Sequence, residues 1–231
     1  MRVVAVHQPN FFPWLGFFAK LAAADVFVLL DDAQLPKGGG TWLNRVRLLL
    51  SGASRWQTAP MARPKGETLR VDEVRFADAR WRRKLATAVR ANYARAAHFA
   101  EVFPLLEELL ELPEERVAHF NEHAIRRLAA LLGLETEIVR ASSWELESQA
   151  TQRLIELVQR NEGTCYLSGD GSSGYLVEED FARAGLELAY QGFSHPRYEQ
   201  GPGEFQAGLS ILDPLFHVGP AATARLLRTD A

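Results

Sequence analysis

The sequence has little of what marks several large classes of protein. It contains one cysteine, Cys165, in 231 residues, so no internal disulfide can form, and this cysteine usage suits a reducing cytoplasm. No apolar run reaches the roughly 20 residues that a membrane-spanning helix needs, and Met1 is not followed by the apolar segment and cleavage site of a signal peptide. The formal net charge of -3 argues against a nucleic-acid binder that relies on a broad basic surface. We therefore expect a soluble, cytoplasmic protein with no membrane span and no nucleic-acid partner.

The pattern that remains is that of an α/β protein. Hydrophobic residues make up 47% of the chain, which is enough for a packed core. Short β-branched runs at Val3–Val6 and Val26–Leu30 predict two buried parallel strands, with a nearly all-apolar helix over residues 14–24 between them. Short strand-like and helical segments alternate again after residue 135. We predict a single Rossmann-like α/β domain over residues 1–231 with a mostly parallel sheet.

Two segments depart from this alternation. Residues 44–50 alternate polar and apolar side chains and residues 55–61 are extended, which predicts a small β-hairpin. Residues 78–132 are helical in pattern throughout, which predicts a helical insertion or subdomain within the α/β core. Between these two segments, Val71–Phe76 is predicted to form a short strand, and residues 209–216 and 221–227 are predicted to form two closing helices.

Polar residues follow each of the first two predicted strands. His7-Gln8-Pro9-Asn10 follows the first, and Asp31-Asp32 follows the second. Ligands of open α/β sheets bind beyond the carboxyl ends of the strands, so we assign these residues to one crevice, with Gln8 and Asn10 as substrate-binding residues. His7 is a candidate general base or acid; its alternative role is to hydrogen-bond the turn.

The two aspartates are further candidates for catalysis. Asp31 or Asp32 could hold an amine, a ribose hydroxyl or a metal-bound water, or could instead cap a turn or helix. Because adjacent residues of an extended chain point to opposite sides, at most one of the two carboxylates is expected to face the crevice.

A second candidate binding segment runs from Ser168 to Gly174. Its serines and glycines follow a predicted strand and precede a predicted helix, which is a favourable arrangement for holding an anion on backbone N–H groups. The substrate-binding candidates here are Ser168, Gly169, Gly171 and Ser172. The glycines spell Gly-x-Gly-x-x-Gly, but no acidic residue closes the next strand, as the dinucleotide fingerprint requires, and no lysine follows, as a P-loop requires. A plain glycine–serine turn is the alternative.

The remaining candidates lie on the predicted hairpin and near the end of the chain. Asn44 and Arg45 lie on the predicted hairpin, where Arg45 and Arg47 share one face and could bind phosphate or carboxylate or simply be solvated. Tyr198 lies in an irregular segment of the kind that often carries binding residues. Asp213 lies in an apolar run and is predicted to cap a helix that starts near Pro214.

The sequence offers little for metal or covalent chemistry. Cys165 lies within a predicted strand, where a thiol is usually an inert small hydrophobic group. His119 and His123 are four residues apart on a predicted helix but have no third ligand-like neighbour. We predict no metal site and no covalent nucleophile.

Several strings spread along the chain carry a resemblance to a known family. They are His7-Gln8-Pro9-Asn10, Pro13-Trp14, Gly16-Phe17-Phe18-x-Lys20, Asp25-Val26-Phe27-Val28, Leu30-Asp31-Asp32-x-Gln34, Asn44-Arg45, Tyr166-Leu167-Ser168-Gly169-x-Gly171, Tyr175-Leu176, Phe193, Pro196-x-Tyr198-x-Gln200 and Leu209-Ser210-Ile211-Leu212-Asp213-x-Leu215-Phe216. On these strings the chain resembles the WbqC-like family over nearly its whole length. The resemblance implies a bacterial protein encoded with genes for surface polysaccharides, such as O-antigen, or natural products. Some members are described as glycine or aminoacyl transferases that act on an amino sugar. The chain departs from the family pattern at Phe11, where a tyrosine is expected, and at Lys37, which three glycines follow.

Three functional hypotheses follow. In the first, the protein is an acyl or aminoacyl transferase in which His7 deprotonates an acceptor amine; it needs no bound cofactor, only a pantetheine-linked acyl donor and a sugar nucleotide or other amine. In the second, it is a nucleotidyl or adenylyl transferase, although such enzymes use two histidines where this chain has one. In the third, it is a non-catalytic module that binds a sugar nucleotide or an acyl or peptidyl carrier protein, with residues 78–132 as a docking surface.

Overall fold

The computed structural model describes residues 1–35, 42–62, 68–170 and 176–228. Within these ranges the regular elements are β1 (Val3–His7), α1 (Leu15–Ala22), β2 (Val26–Leu29), β3 (Arg45–Leu50), β4 (Ala53–Thr58), α2 (Arg80–Tyr93), α3 (Phe99–Glu111), α4 (Val117–Leu131), β5 (Glu137–Arg140), α5 (Ala150–Arg160), β6 (Cys165–Ser168), α6 (Glu178–Arg183), β7 (Glu187–Tyr190) and α7 (Leu212–Leu226). Short 3₁₀ turns lie between β4 and α2, at Val71–Glu73, and between β5 and α5, at Ala141–Ser143.

Five strands form one parallel sheet in the order β5-β2-β1-β6-β7, and β3 and β4 form a separate antiparallel hairpin. Val4 pairs with Val26 on one side of β1 and with Tyr166 on the other. The predicted Rossmann-like α/β fold, with its mostly parallel sheet and small hairpin, is confirmed. The chain progresses outward from β1 through β2 to β5 and then returns to place β6 on the other side of β1. The order of the strands therefore reverses between β1 and β6, which is the switch point where open α/β sheets bind ligands.

The two faces of the sheet have separate cores because strand side chains alternate. Ala5, Phe27 and Leu29 pack in the cluster that contains the buried side chains of α1 to α4. Val4, Val28 and their neighbours pack against α5 and α6 on the other face. Every residue of α1 from Leu15 to Leu21 is buried, including Lys20, as its nearly all-apolar pattern predicts.

The hairpin and helices α2 to α4 lie between β2 and β5 in the chain and pack on the α1 face. On β3 the buried residues alternate at Val46, Leu48 and Leu50. On α2 they recur at helical spacing, at Trp81, Leu85, Val89 and Tyr93. The helical block thus shares its core with the sheet rather than enclosing a core of its own.

The predicted strand at Val71–Phe76 is wrong. Val71–Glu73 is a 3₁₀ turn whose residues Val71 and Val74, three positions apart, are both buried against Val117. A three-residue period matches 3₁₀ geometry, and Glu73 Oε2 accepts a hydrogen bond from Arg70 N at 2.7 Å.

The last helix is formed by two segments. Gly219 has a φ of 80°, which is not helical and bends α7. A Cβ at this position would lie 2.6 Å from the ring of His98, so only glycine fits. None of the described helices is long and apolar enough to cross a bilayer.

Candidate functional site at the switch point

His7 is the last residue of β1, at the carboxyl end of the central strand. Its ring packs edge-on against Trp14 and Phe17, with ring centroids 5.8 and 5.0 Å away. Its Nδ1 lies 3.0 Å from the carbonyl oxygen of Gln8. A carbonyl oxygen can only accept, so Nδ1 carries the hydrogen and Nε2 keeps its lone pair. The main chain of Gln8 therefore sets the tautomer of His7.

The surroundings of His7 keep it neutral. Burial, and to a smaller extent the charge of Lys20, lower the pKa of His7 to about 4, while the hydrogen bond to Gln8 acts in the opposite direction. Near pH 7 the ring is therefore an uncharged base with one available lone pair.

Lys20 and Asp170 belong to this site, although the sequence prediction gave neither of them a role in it. Lys20 is only 3% exposed, and its Nζ donates to the carbonyl oxygen of Val6 at 2.8 Å. Burial lowers the pKa of Lys20 to about 8, and the charge of Asp170 opposes this. One signal was present, because a single lysine in an otherwise apolar, buried helix must have a specific partner.

Asp170 follows β6 and holds the neighbouring chain segment in place. Its carboxylate oxygens accept hydrogen bonds from Gly192 N at 2.8 Å and Phe193 N at 3.1 Å. Phe193 in turn packs directly over Gly16, where an added Cβ would lie 2.8 Å from its ring. The segment after β7 is thereby fastened against the start of α1.

The ends of β1 and β6 are adjacent, as the single-crevice prediction requires, but two of the candidate side chains point apart. Ala5 packs in the core on the α1 side of the sheet. His7 lies two residues further along the same strand, so its side chain points to the same face. Ser168 is fully buried and shares the α5–α6 face with Tyr166, which stacks on Phe181. Gly169 follows Ser168 at this edge. The predicted binding residues Gly171 and Ser172 lie outside the described residues, as do Tyr175 and Lys37.

The carboxylate of Asp31 is committed to the segment that follows β5. Its two oxygens accept from Ser142 N at 2.9 Å and Ser142 Oγ at 2.6 Å, and the residue is 3% exposed. This is the turn-capping role that the sequence left open for Asp31.

Asp32 points to the α5 face, away from His7. Its Oδ2 forms an ion pair with Arg153 of α5, while its buried Oδ1 has no hydrogen-bond partner among the described residues. Burial raises the pKa of Asp32, with a smaller contribution from Asp31, and the charge of Arg153 opposes the shift. The structure thus places His7, Asp31 and Asp32 at one edge of the sheet but gives each carboxylate a partner of its own.

Asn10 and Asn44 are buried in the loops that border the site. Asn10 is 3% exposed, and the carbonyl oxygen of the preceding Pro9 accepts from Asn121 Nδ2 at 2.8 Å. Asn44 Nδ2 donates to Ala59 O at 2.9 Å. These contacts anchor the first loop and the hairpin to the core.

An aromatic surface extends from His7 to the hairpin. Trp14, Trp42 and Trp56, here called the tryptophan wall, follow one another with ring centroids 4.7 and 4.8 Å apart. The guanidinium of Arg45 lies 4.1 Å from the ring centroid of Trp56, which is 39% exposed. The rings are tilted by 46° and 68° from one to the next. Aromatic rings beside a guanidinium can bind sugar or base faces and nearby anions.

Tyr198 belongs to a buried network instead of an open binding surface. Its hydroxyl donates to Asp213 Oδ1 at 2.7 Å and accepts from Gln200 Nε2 at 2.9 Å. Tyr93 donates to Asp213 Oδ2, also at 2.7 Å. The predicted helix cap at Asp213 is therefore wrong, because this carboxylate lies within the first turn of α7 and joins Tyr93 to Tyr198.

The other candidates for metal or nucleophilic chemistry remain apart. His119 and His123 line a cleft of about 440 Å³ on α4. Of its two acidic residues, Glu114 lies 3.6 Å from Nδ1 of His119, and Glu122 is paired with Arg126 and Arg140. Within the described ranges no group of three or more histidine, cysteine or acidic side chains is placed to hold a metal ion. Cys165 is buried in β6, and burial raises the pKa of its thiol.

The fold and the switch-point site define a doubly wound α/β protein with a neutral histidine at the end of its central strand. The chain belongs to the WbqC-like protein family, whose model matches residues 8–225, so the family predicted from the sequence is confirmed. It is similar to "Uncharacterized protein Rv1507c" of Mycobacterium tuberculosis (strain ATCC 25618 / H37Rv), at 34% identity over 231 residues and 96% of each chain. No solved structure matches the chain.

Proposed function

We propose that the protein is an acyl or aminoacyl transferase that modifies an amine, such as that of an amino sugar, in bacterial surface-polysaccharide or natural-product biosynthesis. The observation that carries the proposal is the tautomer of His7. Its Nδ1 is fixed on Gln8 O at 3.0 Å, so its Nε2 lone pair is available at the switch point of the sheet. The description of some WbqC-like proteins as glycine or aminoacyl transferases supports this class of reaction.

In the proposed reaction, the amine nitrogen attacks the carbonyl carbon of a pantetheine-linked thioester. A C–N bond forms, the C–S bond breaks, and the proton that leaves the nitrogen passes to Nε2 of His7. The thiolate leaving group then takes up that proton, so the histidine returns to its neutral form. General base catalysis of this kind contributes about 10²–10⁴-fold to the rate. Burial and, to a smaller extent, the charge of Lys20 lower the pKa of His7, which keeps the ring unprotonated before the amine arrives.

The tryptophan wall is the proposed surface for the acceptor. Trp14 lies beside His7, and Trp56 is exposed at the other end of the wall with the Arg45 guanidinium over its ring. An aromatic face packs on a sugar or base, and an arginine beside it binds phosphate. A sugar nucleotide that carries an amine matches both ends of this surface.

The test is a direct assay of N-acylation. The purified protein is incubated with acyl and aminoacyl coenzyme A or pantetheine thioesters and with UDP- or dTDP-linked amino sugars, and products are detected by mass spectrometry together with thiol release. We expect His7→Gln, whose amide can still donate to Gln8 O, to lower the rate about 10²–10⁴-fold. The matched control His123→Gln on α4 should retain it.

Two results would contradict the proposal. Equal turnover by His7→Gln and the unchanged protein would remove His7 as the base. Product formation that requires Mg²⁺-ATP and releases pyrophosphate would indicate nucleotidyl transfer instead.

A further inference from the structure

A cavity of about 620 Å³ lies on the opposite face of the sheet from His7. We call it the α5 cavity. Its apolar walls are formed by Leu30, Leu69, Leu146, Leu154 and Leu176, and its polar lining includes Asp32, Gln34, Thr68, Arg70, Glu147, Ser148, Thr151 and Arg153. A volume of about 300–1,000 Å³, mostly apolar walls and a few polar groups are typical of small-molecule sites.

The walls of the α5 cavity are held in place by Arg153. Its Nη1 donates to Leu146 O at 2.7 Å and to Ser148 O at 3.2 Å, and its Nη2 pairs with Asp32. On the opposite wall, Leu69 O accepts from Leu35 N at 2.8 Å. Hydrogen bonds thus fix the segments that carry the leucines, and the cavity is a built feature of the fold.

The positive charges that line the cavity are already satisfied. Arg153 is shared among Asp32 and two carbonyl oxygens. Arg70 is engaged by Asp72, with Nε 3.1 Å from Oδ1. An anionic ligand would therefore have to displace an existing partner.

The negative charges are only partly matched, because Arg153 pairs with a single oxygen of Asp32. Asp32 lies on the cavity wall with its side chain 7% exposed, and its Oδ1 has no hydrogen-bond partner in the described part of the chain. Glu147 lines the same cavity, is exposed and forms no ion pair with any described residue. A buried carboxylate oxygen without a donor carries an unrecovered desolvation cost, and a rotation of the Asp32 side chain toward the cavity would let a ligand N–H group recover it.

We propose that the α5 cavity is a second ligand site, which binds an amphipathic small molecule through a protonated amine directed at Asp32 and Glu147 and an apolar body packed on the leucines. The site is separated from His7 by the sheet, and it does not depend on the transfer reaction proposed above.

The test uses three probes with one apolar chain and different head groups: octylamine, octan-1-ol and octanoate. Binding to the purified full chain is measured by calorimetric titration and by changes in amide NMR signals. Octylamine should bind at least tenfold more tightly than octanol or octanoate, and the shifted amides should belong to residues that line the cavity. Equal affinity for the three probes would overturn the proposal.

Variants separate the site from non-specific binding. Asp32→Asn and Glu147→Gln should each weaken octylamine binding at least threefold, and Leu176→Trp, which fills the rim of the cavity, should reduce binding of all three probes. Glu145→Gln removes an exposed charge from the same segment outside the cavity and should change nothing. Asp32→Asn also alters the ion pair with Arg153, so the fold of this variant is checked by circular dichroism. Glu147→Gln tests the role of a carboxylate in amine binding at an exposed position, where no ion pair is disturbed. Octylamine binding that survives both Glu147→Gln and Leu176→Trp would refute the assignment.

Discussion

Burial and, to a smaller extent, the ammonium of Lys20 lower the pKa of His7, the residue that ends the central strand. Lys20 Nζ donates to Val6 O, one residue before His7 in the same strand. The lysine therefore acts on the histidine through its charge while its own hydrogen bond is made with the main chain.

Removing this charge should raise the pKa of His7. In Lys20→Met the apolar stem is kept and the ammonium is lost, so the pKa should rise above its value of about 4. It should stay below the usual 6.5 because burial, the larger cause, remains. Histidine side-chain NMR over pH 3–8 measures it. The matched control is Lys84→Met at an exposed site on α2; a His7 pKa that responds equally to both variants would contradict the proposed coupling.

Stability should fall as the solution is acidified through the range where His7 titrates in the unfolded chain. The pKa of about 4 in the folded protein lies below the 6.5 of the unfolded state, so the unfolded chain binds the proton first. Stability is thus fully present above pH 6.5 and declines toward pH 4, by up to about 3 kcal/mol from this residue. Urea unfolding at pH 7 and pH 4.5 should show a smaller loss for His7→Gln than for the unchanged protein. His123→Gln should keep the full loss, and a pH profile unaltered by His7→Gln would contradict the expectation.

Replacing tyrosine by phenylalanine should lower the free energy of unfolding by different amounts at two tyrosines that donate to carboxylates. Tyr198 bonds to Asp213 inside the protein, whereas Tyr190 bonds to Glu178 at the surface with 2.8 Å between the oxygens. Tyr198→Phe leaves a buried carboxylate short of a donor and should lower the free energy of unfolding by about 1.5–3 kcal/mol. Tyr190→Phe should change it by less than about 0.5 kcal/mol. Urea denaturation of the two variants makes the comparison, and equal costs would show that the Asp213 network contributes no more than a surface bond.

Asp31 and Ser142 should be energetically coupled. Their side chains are 2.6 Å apart, and a hydrogen bond to a charged group contributes about 1.5–3 kcal/mol. A double-mutant cycle with Asp31→Ala and Ser142→Ala should recover a coupling energy in that range. The same cycle with exposed Ser143→Ala should give a value near zero. A cycle that finds no coupling for Ser142 would return Asp31 to consideration as a residue that faces substrate.

Much of the fold could be predicted because its signals are local. The β-branched runs of β1 and β2, the apolar α1 between them and the alternation in β3 each identify an element from a few consecutive residues. Two parallel strands joined through a helix then have a preferred handedness. The turn at Val71–Glu73 could not be predicted in this way, because its conformation depends on burial against Val117 and Leu43, contacts made across the chain.

The sequence predicted where the candidate site lies, but not which residues its side chains hydrogen-bond to. His7, Asp31 and Ser168 were placed at strand ends by the pattern alone. The partners of Lys20, Asp31 and Asp213 are Val6, Ser142 and two tyrosines, and the most distant of them, Tyr93, lies 120 positions from Asp213. No spacing in the sequence encodes such a pair, since it forms only when α2 and α7 pack together.

The strand order has a consequence for how the chain folds as it is made. The first strand in the chain is also the middle strand of the sheet. Its neighbour β2 follows within about 20 residues of the chain. On the other side, Arg2 hydrogen-bonds to Thr164, which lies 162 positions later. Until β6 has left the ribosome, β1 has an unpaired edge, and such long-range pairing is slow and prone to aggregation. The histidine site is thus completed only near the end of synthesis, and a nascent chain halted before residue 168 should hold its first strand open to chaperones.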